Sequence, residues 1–234
     1  MVRWMADLVG YPESAAGTLL SGGSIANLTA IVAARDAKGI RSRDIETSVI
    51  YLTAQVHHCV HKAIRIAGLA DAHIQNVPMD NHFRMDVTEL AAQVAADKAA
   101  GLRPWLVVAS TGTTDTGAVD PAEEIADICE AHDLWLHMDA AYGGFFLLTE
   151  EGKAMIRGIE RSDSVVMDPH KGLFLPYGTG AVIIKNGEHL FNSHYYRANY
   201  MQDTFDSNEE LSPADLSPEL TRHFRGLRMW LPLN

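Results

Sequence analysis

The chain has 234 residues, 47% hydrophobic and 21% charged, which indicates a folded domain with a substantial core and excludes wholesale disorder. The formal net charge is −11 and the sequence has no basic run, which argues against a nucleic-acid partner. No apolar stretch is long enough to span a bilayer, and the first residues lack an apolar signal core. The two cysteines, Cys59 and Cys129, have neither metal-ligand nor disulfide-rich spacing, so we expect a soluble, cytoplasmic protein without a membrane partner.

Apolar periodicity predicts short strands that alternate with longer helices. The predicted helices span residues 24–37, 58–67, 86–100 and 121–132. The predicted strands span residues 49–53, 73–77, 105–110, 134–139, 165–167 and 181–184. We expect Ser24 to cap the first helix and Gly39 to stop it. Repeated strand–helix–strand units predict an α/β fold with a mainly parallel sheet sandwiched between helices.

The carboxyl-terminal part of the sequence changes character. From about Gln202 to Leu220 it turns polar and contains two Ser-Pro pairs, which predicts a mobile loop. Residues 224–233 are rich in apolar side chains and predict the start of a packed element. We therefore predict a large domain over residues 1–200, and over residues 201–234 a mobile loop followed by the start of a truncated element.

An acid and a lysine stand at the ends of two predicted strands. Lys171 follows the apolar run at residues 164–167, and Asp139 ends the strand at residues 134–139. Both belong to the sheet edge at which open α/β folds bind ligands. Pyridoxal phosphate needs such a pair, because a lysine forms its Schiff base and a carboxylate keeps its pyridinium nitrogen protonated. The alternative for Lys171 is an ordinary surface lysine.

Two loops could supply hydrogen-bond donors at the same edge. Residues 21–27 run from glycines into a helix, and such a turn directs free amide groups and the positive end of the helix dipole at an anion. Residues 110–114 follow a strand directly and offer small hydroxyl groups. An ordinary capped turn and an ordinary polar loop are the alternatives.

The histidines allow three interpretations. The flat ring of His57 could stack on a planar cofactor, or His57 could simply start a helix. His57 and His61 lie four residues apart, as zinc ligands on one helix face can, and His137 with Asp139 could form another metal pair. The glutamate of the familiar zinc-protease motif is absent, because the residue after His57 is His58.

Six ordered segments of the chain resemble the pyridoxal-phosphate-dependent group II amino-acid decarboxylases, the family of aromatic amino-acid and glutamate decarboxylases. The segments are Gly10-Tyr11-Pro12, residues 21–27, residues 56–63, Thr111-Gly-Thr-Thr114, His137-x-Asp-Ala-Ala-Tyr142 and Asp168-Pro-His-Lys171. The resemblance covers nearly the whole chain. It implies the large domain of the aspartate aminotransferase fold type I, with pyridoxal phosphate as cofactor.

The resemblance also implies a role for each matching residue. Lys171 would bind the cofactor covalently, Asp139 would pair with the pyridine nitrogen, and His57 would stack on the ring. Tyr200 would be the catalytic tyrosine that protonates the substrate carbon after carbon dioxide leaves. The other implied cofactor residues are Gly23, Ser24 and His170 at the phosphate, Asp168 nearby, Thr113 near the ring hydroxyl and Ala141 under the ring.

The implied reaction converts an L-amino acid to its amine and carbon dioxide, which makes the protein a carboxy-lyase of amino-acid metabolism that acts as a homodimer. Many aromatic-specific relatives have tryptophan where this chain has Gly172, so the substrate stays open. One alternative is an aldehyde synthase of the same fold that deaminates oxidatively, against which Tyr200 argues. Another is a truncated homologue that binds cofactor or a partner without turnover, because family members are roughly twice this length. A metal hydrolase that uses the histidines is the last alternative.

Overall fold

The computed structural model of the protein describes residues 1–196 and 212–233. Its strands are β1 (Ala16–Leu20), β2 (Ser48–Leu52), β3 (His73–Asn76), β4 (Arg103–Ser110), β5 (Trp135–Asp139), β6 (Ser164–Met167) and β7 (Gly180–Ile184). They form one sheet in the order β1-β7-β6-β5-β4-β2-β3. All neighbours from β6 to β3 run parallel, and β7 pairs antiparallel with β6 and with β1. The predicted mainly parallel sheet is confirmed.

Helices cover both faces of this sheet. They are α1 (Val2–Val9), α2 (Gly23–Ala37), α3 (His58–Ile66), α4 (Val87–Ala99), α5 (Ala122–His132), α6 (Glu150–Met155), α7 (Pro169–Gly172), α8 (Gly187–His194) and α9 (Arg225–Leu233). Successive strand residues point to opposite faces, so Val49 and Tyr51 enter one core while Ile50 and Leu52 enter the other. The first core contains α1, α4 and α5, and the second contains α2 and α3.

Two elements at the start of the chain were not predicted, namely α1 and β1. Strand β1 is short and contains a glycine, and it extends because it pairs with β7 from Ala16 opposite Ile184 to Leu20 opposite Gly180. Gly17 is needed there, since a Cβ atom at this position would collide with the backbone of β7. Tertiary pairing therefore decides the structure of a segment whose own pattern is weak.

The predicted cap of α2 is wrong. The helix begins at Gly23, and its N-cap residue is Gly22, which has no side chain with which to cap it. Gly22 has φ 154° and ψ 178°, a backbone conformation that is essentially restricted to glycine. The glycine turn thus sets the start of the helix, one residue before Ser24, and the Gly23 amide donates instead to the distant Asp168 side chain.

Residues 212–233 pack onto the sheet domain. Met229 of α9 is fully buried in the core that contains α1, and Leu216 is buried in the other core. Arg225 donates a hydrogen bond to the Gly178 carbonyl and pairs with Glu219. Most of the predicted mobile loop, residues 202–211, lies outside the described residues, and so does the predicted boundary at residue 200, which stays a prediction. None of the helices in the described ranges has the length and apolar character that crossing a membrane requires.

Candidate active site

A cavity of about 510 Å³ lies where the parallel strands β4, β5 and β6 end, and its volume is typical of small-molecule sites. The loops after these strands line it together with the starts of α2 and α3. The sequence-predicted residues that line it are Gly23, Ser24, His57, Thr113, Asp139, Ala141, Asp168, His170 and Lys171. The predicted catalytic residue Tyr200 lies outside the described residues.

Asp139 is held in place through both of its carboxylate oxygens. Oδ1 accepts a hydrogen bond from the Ala141 amide at 3.2 Å, and Oδ2 accepts one from Nδ2 of Asn27 at 3.3 Å. The side chain lines the cavity although the residue is only 8% exposed. A carboxylate fixed in this way can receive a charge-assisted hydrogen bond from a cationic N–H in the cavity.

Lys171 lies on the one-turn helix α7, directly after β6. Its Nζ is 3.4 Å from Oδ2 of Asp168, and Nε2 of His170 is 3.7 Å from the same oxygen. This oxygen also accepts a hydrogen bond from the Gly23 amide at 3.1 Å. Burial raises the pKa of Asp168, an effect that the charge of Lys171 opposes. Asp168 therefore connects the lysine to the start of α2.

The start of α2 approaches the lysine segment closely. A Cβ atom at Gly23 would lie 2.9 Å from Oδ2 of Asp168 and 3.5 Å from Cβ of Ala141. Nδ1 of His170 donates to the Thr179 carbonyl at 2.6 Å, because a carbonyl only accepts, and this bond fixes the imidazole beside the turn. Such a helix start, free of side chains at its glycines, suits a phosphate group.

His57 is the N-cap residue of α3, as one interpretation of the sequence predicted. Its Nδ1 accepts a hydrogen bond from the Cys59 amide at 3.3 Å. Burial lowers the pKa of His57, and His58, whose ring centroid is 4.2 Å away, adds to this effect. A neutral, flat ring that lines the cavity is suited to stacking on a planar cofactor.

The geometry does not favour the metal alternatives. Nδ1 of His137 lies 2.7 Å from Oγ of Ser164, and Nε2 lies 2.8 Å from Oδ1 of Asn27, so both ring nitrogens already have partners. Nδ1 of His57 is likewise occupied by a backbone amide. Within residues 1–196 and 212–233, no group of three or more His, Cys, Asp or Glu side chains could hold a metal ion.

Thr113 lines the cavity, and its hydroxyl also organises its own loop. Its Oγ1 lies 2.8 Å from Oγ1 of Thr116 and accepts a hydrogen bond from the Ala118 amide at 3.1 Å. The loop is anchored below by Asp120, which accepts hydrogen bonds from the amides of Ser110 and Met85, both at 2.7 Å. The loop after β4 is therefore positioned from within the protein.

Sequence reasoning assigned no role to three residues that line the cavity, namely Asn27, Tyr142 and Tyr177. Asn27 follows Gly23 by four positions, which places both on one face of α2, and a fully buried asparagine on that face is a signal for a specific polar contact. Tyr177 is 86% exposed, and its ring centroid is 5.4 Å from that of His170. No pattern in the sequence marks Tyr177.

These residues fit pyridoxal phosphate. The glycine start of α2 suits the phosphate, and an amine, a carboxylate and a neutral imidazole line the same cavity. The amine suits covalent attachment of the cofactor, the carboxylate suits its ring nitrogen, and the imidazole suits its ring face. The assignment of each residue to a part of the cofactor remains a proposal.

Comparison with known proteins identifies relatives along the entire chain. A sequence model described as the pyridoxal-dependent decarboxylase conserved domain matches residues 1–234. An aromatic-L-amino-acid decarboxylase of Bacillus atrophaeus is 41% identical over 231 residues, which are 98% of this chain and 48% of that protein. A cysteine sulfinic acid decarboxylase of Homo sapiens is 34% identical over 239 residues, 99% of this chain and 48% of that protein.

Solved structures agree with these sequence matches. The crystal structure of Oryza sativa TDC with PLP and tryptamine has a TM-score of 0.90 and 32% identity, and covers 98% of this chain and 50% of that chain. The chain thus spans about half the length of the relatives it matches. The predicted fold class is confirmed, and so is the prediction of a family of pyridoxal-phosphate-dependent carboxy-lyases. The chain belongs to the pyridoxal-dependent decarboxylase family.

Proposed function

We propose that the protein decarboxylates an L-amino acid to the corresponding amine and carbon dioxide with pyridoxal phosphate. The observation that carries this proposal is that Lys171 and Asp139, from the ends of two parallel strands, line one cavity with the glycine start of α2. When bound, pyridoxal phosphate supplies an electron sink for the bond that breaks at the substrate's α-carbon.

The residues of the chain would bind the cofactor and orient it. The amine of Lys171 holds the cofactor, the carboxylate of Asp139 keeps a proton on the ring nitrogen, and the neutral ring of His57 covers one face. Gly23 and Ser24 would cradle the phosphate at the start of α2, with His170 beside them and Asp168, which accepts from the Gly23 amide, nearby. Loss of carboxylate instead of a proton would depend on how the residues of the cavity orient the substrate, which is a matter of positioning. We assign the later protonation of the carbon to Tyr200.

The substrate class is an L-amino acid, and its side chain is left open. One relative is named for aromatic amino acids and another for cysteine sulfinic acid. At Gly172, a Cβ atom would lie 3.1 Å from Cβ of Phe145 and 3.3 Å from the Tyr142 carbonyl. A tryptophan, as found there in many aromatic-specific relatives, would require this region to repack.

We further propose a homodimer that works in the cytoplasm. Phe174 and Tyr177, in the segment that follows Lys171, are 94% and 86% exposed, and such aromatic surface favours association with another protein surface. Cys59 and Cys129 are both free and buried, which agrees with a reducing compartment.

The first test is uptake of the cofactor. Purified protein mixed with pyridoxal phosphate should gain the visible absorption of a lysine-bound cofactor, and borohydride should remove it. Lys171→Ala should not gain this absorption, whereas Lys153→Ala, which changes an exposed lysine of α6, should behave like the wild type. Uptake that is equal in all three proteins, or absent from the wild type, would contradict the proposal.

The second measurement is the product. Carbon dioxide and an amine released from one member of a panel of L-amino acids would establish the decarboxylase. Release of an aldehyde in place of the amine would favour the oxidative deaminating alternative. Cofactor uptake without release from any amino acid would instead indicate a binding protein without turnover.

A further inference from the structure

A continuous chain of buried hydrogen bonds ends on Asp139. Nε1 of Trp135 lies 2.8 Å from Oγ of Ser164, and Nδ1 of His137 lies 2.7 Å from the same oxygen. Nε2 of His137 lies 2.8 Å from Oδ1 of Asn27, whose Nδ2 lies 3.3 Å from Oδ2 of Asp139. At most 2% of each residue before Asp139 in this chain of hydrogen bonds is exposed, so water does not compete for these bonds. These residues are Trp135, Ser164, His137 and Asn27.

The sheet explains why these residues meet. Trp135, His137 and Asp139 alternate along β5, so all three point to the face that α2 covers. Ser164 is the direct neighbour of His137 in the parallel pair of β5 and β6. Asn27 comes from α2, one turn after Gly23.

The orientation of the Asn27 amide is forced by its surroundings. Nδ2 lies 2.9 Å from the Gly23 carbonyl oxygen and 3.3 Å from the Asp139 carboxylate, and both of these oxygens accept hydrogen bonds. The two hydrogens of the amide nitrogen satisfy both acceptors. The opposite orientation would place an amide oxygen against two other oxygens. Oδ1 of Asn27 therefore faces His137.

His137 consequently carries its hydrogen on Nε2. Oδ1 of Asn27 can only accept, so Nε2 must donate to it. Burial lowers the pKa of His137 to about 4, so the ring is neutral and Nδ1 has no hydrogen at neutral pH. Nδ1 then accepts from the hydroxyl of Ser164, which in turn accepts from the indole of Trp135. Every hydrogen in the chain points towards Asp139.

We infer that Asn27 and His137 are positioning residues that fix Oδ2 of Asp139 as a hydrogen-bond acceptor and orient the carboxylate towards the cavity. A proton on Oδ2 of Asp139 would face the N–H of Asn27, so the chain is satisfied only when this oxygen accepts. The inference rests on the proposed function in one respect, namely that Asp139 accepts a hydrogen bond from the ring nitrogen of the cofactor.

The tautomer of His137 tests the inference without any cofactor. Nitrogen-15 NMR of the labelled protein near pH 7 should show His137 with hydrogen on Nε2 and a bare Nδ1. Hydrogen on Nδ1 would overturn the inference, because Nε2 could then not donate to Asn27. This measurement stays readable even if the protein proves unable to bind pyridoxal phosphate.

Two substitutions test the effect on cofactor binding. His137→Phe removes both hydrogen bonds of the ring, so the apoprotein should bind pyridoxal phosphate about tenfold more weakly. The absorption of the bound cofactor should also titrate at lower pH, because Asp139 no longer holds the ring nitrogen protonated as firmly. His137→Gln, which can still donate to Asn27, should restore much of both properties.

Tyr51→Phe is the matched control. It removes the buried 2.7 Å hydrogen bond that Tyr51 on strand β2 donates to Asp97 on helix α4, and neither residue lines the cavity. The control should lower the thermal midpoint while leaving the affinity for pyridoxal phosphate and its pH titration unchanged. If His137→Phe also changes only the thermal midpoint, the positioning role is refuted. A wild-type protein that fails to bind pyridoxal phosphate would refute the proposed function and not the tautomer assignment.

Discussion

Asp168 shows how one buried charge can organise a site. The residue is 1% exposed, and its Oδ2 lies within 3.7 Å of the Gly23 amide, Nζ of Lys171 and Nε2 of His170. Within the described part of the chain, its other oxygen has no hydrogen-bond partner. Burial raises the pKa of this carboxyl, and the charge of Lys171 opposes that effect.

His137 produces a pH dependence of stability with a defined sign. Burial lowers its pKa from 6.5 to about 4. Between these pH values, His137 is therefore protonated in the unfolded chain and neutral in the folded chain. Its contribution to the free energy of unfolding is therefore complete above pH 6.5, and about 3 kcal/mol of it is lost as the pH falls to about 4. Urea denaturation at a series of pH values measures this loss.

The control for this prediction is His137→Gln, which cannot titrate in this range. Carboxylates titrate in both proteins, so the difference between wild type and variant isolates His137. That difference should change steeply between pH 6.5 and about 4 and stay constant above pH 6.5. A difference that is the same at every pH would show that His137 is not neutral and buried in solution.

At the scale of elements, periodicity predicts the central strands well because both of their faces are buried. Strands β4 and β5 are runs of apolar residues bounded by polar loops, and they are found close to their predicted bounds. Strand β1 and helix α7 were not predicted, since one depends on pairing with β7 and the other is a single turn. Local sequence cannot contain such tertiary information.

The same limit applies to the site. The ends of parallel strands predict that Asp139 and Lys171 share one edge of the sheet, and the cavity contains both. The contact between Asn27 and His137 joins residues 110 positions apart, and it exists only because α2 lies across β5. Sequence patterns therefore predict which residues line the cavity better than they predict the contacts that orient them.

The glycine turn before α2 should tolerate no side chain. In Gly23→Ala, the new Cβ would lie 2.9 Å from Oδ2 of Asp168, an oxygen that Lys171 and the Gly23 amide hold in place. Overpacking of this kind costs about 1–3 kcal/mol, so we expect the affinity for pyridoxal phosphate to fall by about tenfold or more. Titration of the apoprotein with the cofactor measures the change.

Gly187→Ala is the control for this prediction. Gly187 is the first residue of α8, and a Cβ there would lie 2.6 Å from Cβ of Ala16, so the steric conflict is comparable. Gly187 does not line the cavity. The control should lower the thermal midpoint and leave cofactor affinity intact. Equal losses of affinity in both variants would mean that the turn before α2 has no special part in binding.

On the scale of the whole molecule, several large apolar side chains in the described part of the chain remain exposed, and two groups of them lie near the chain's later elements. Phe174 and Tyr177 follow the lysine segment, and Leu227, Leu231 and Leu233 lie on α9. Exposed apolar side chains of this size favour contact with another protein surface. Phe174 also has φ 54°, a strained conformation for a bulky side chain that is not buried in the chain itself.

The homodimer proposal is therefore testable at Phe174. Phe174→Asn removes the aromatic ring, and asparagine tolerates the left-handed backbone, so the fold should be retained while association weakens. Phe83 provides the control, because it also has positive φ, 60°, and is half-exposed in a turn between β3 and α4. Light scattering coupled to size-exclusion chromatography should give a dimer for wild type and Phe83→Asn, and a shift towards monomer for Phe174→Asn. A dimer that persists in Phe174→Asn would place the interface elsewhere, and a monomeric wild type would refute the homodimer for this chain.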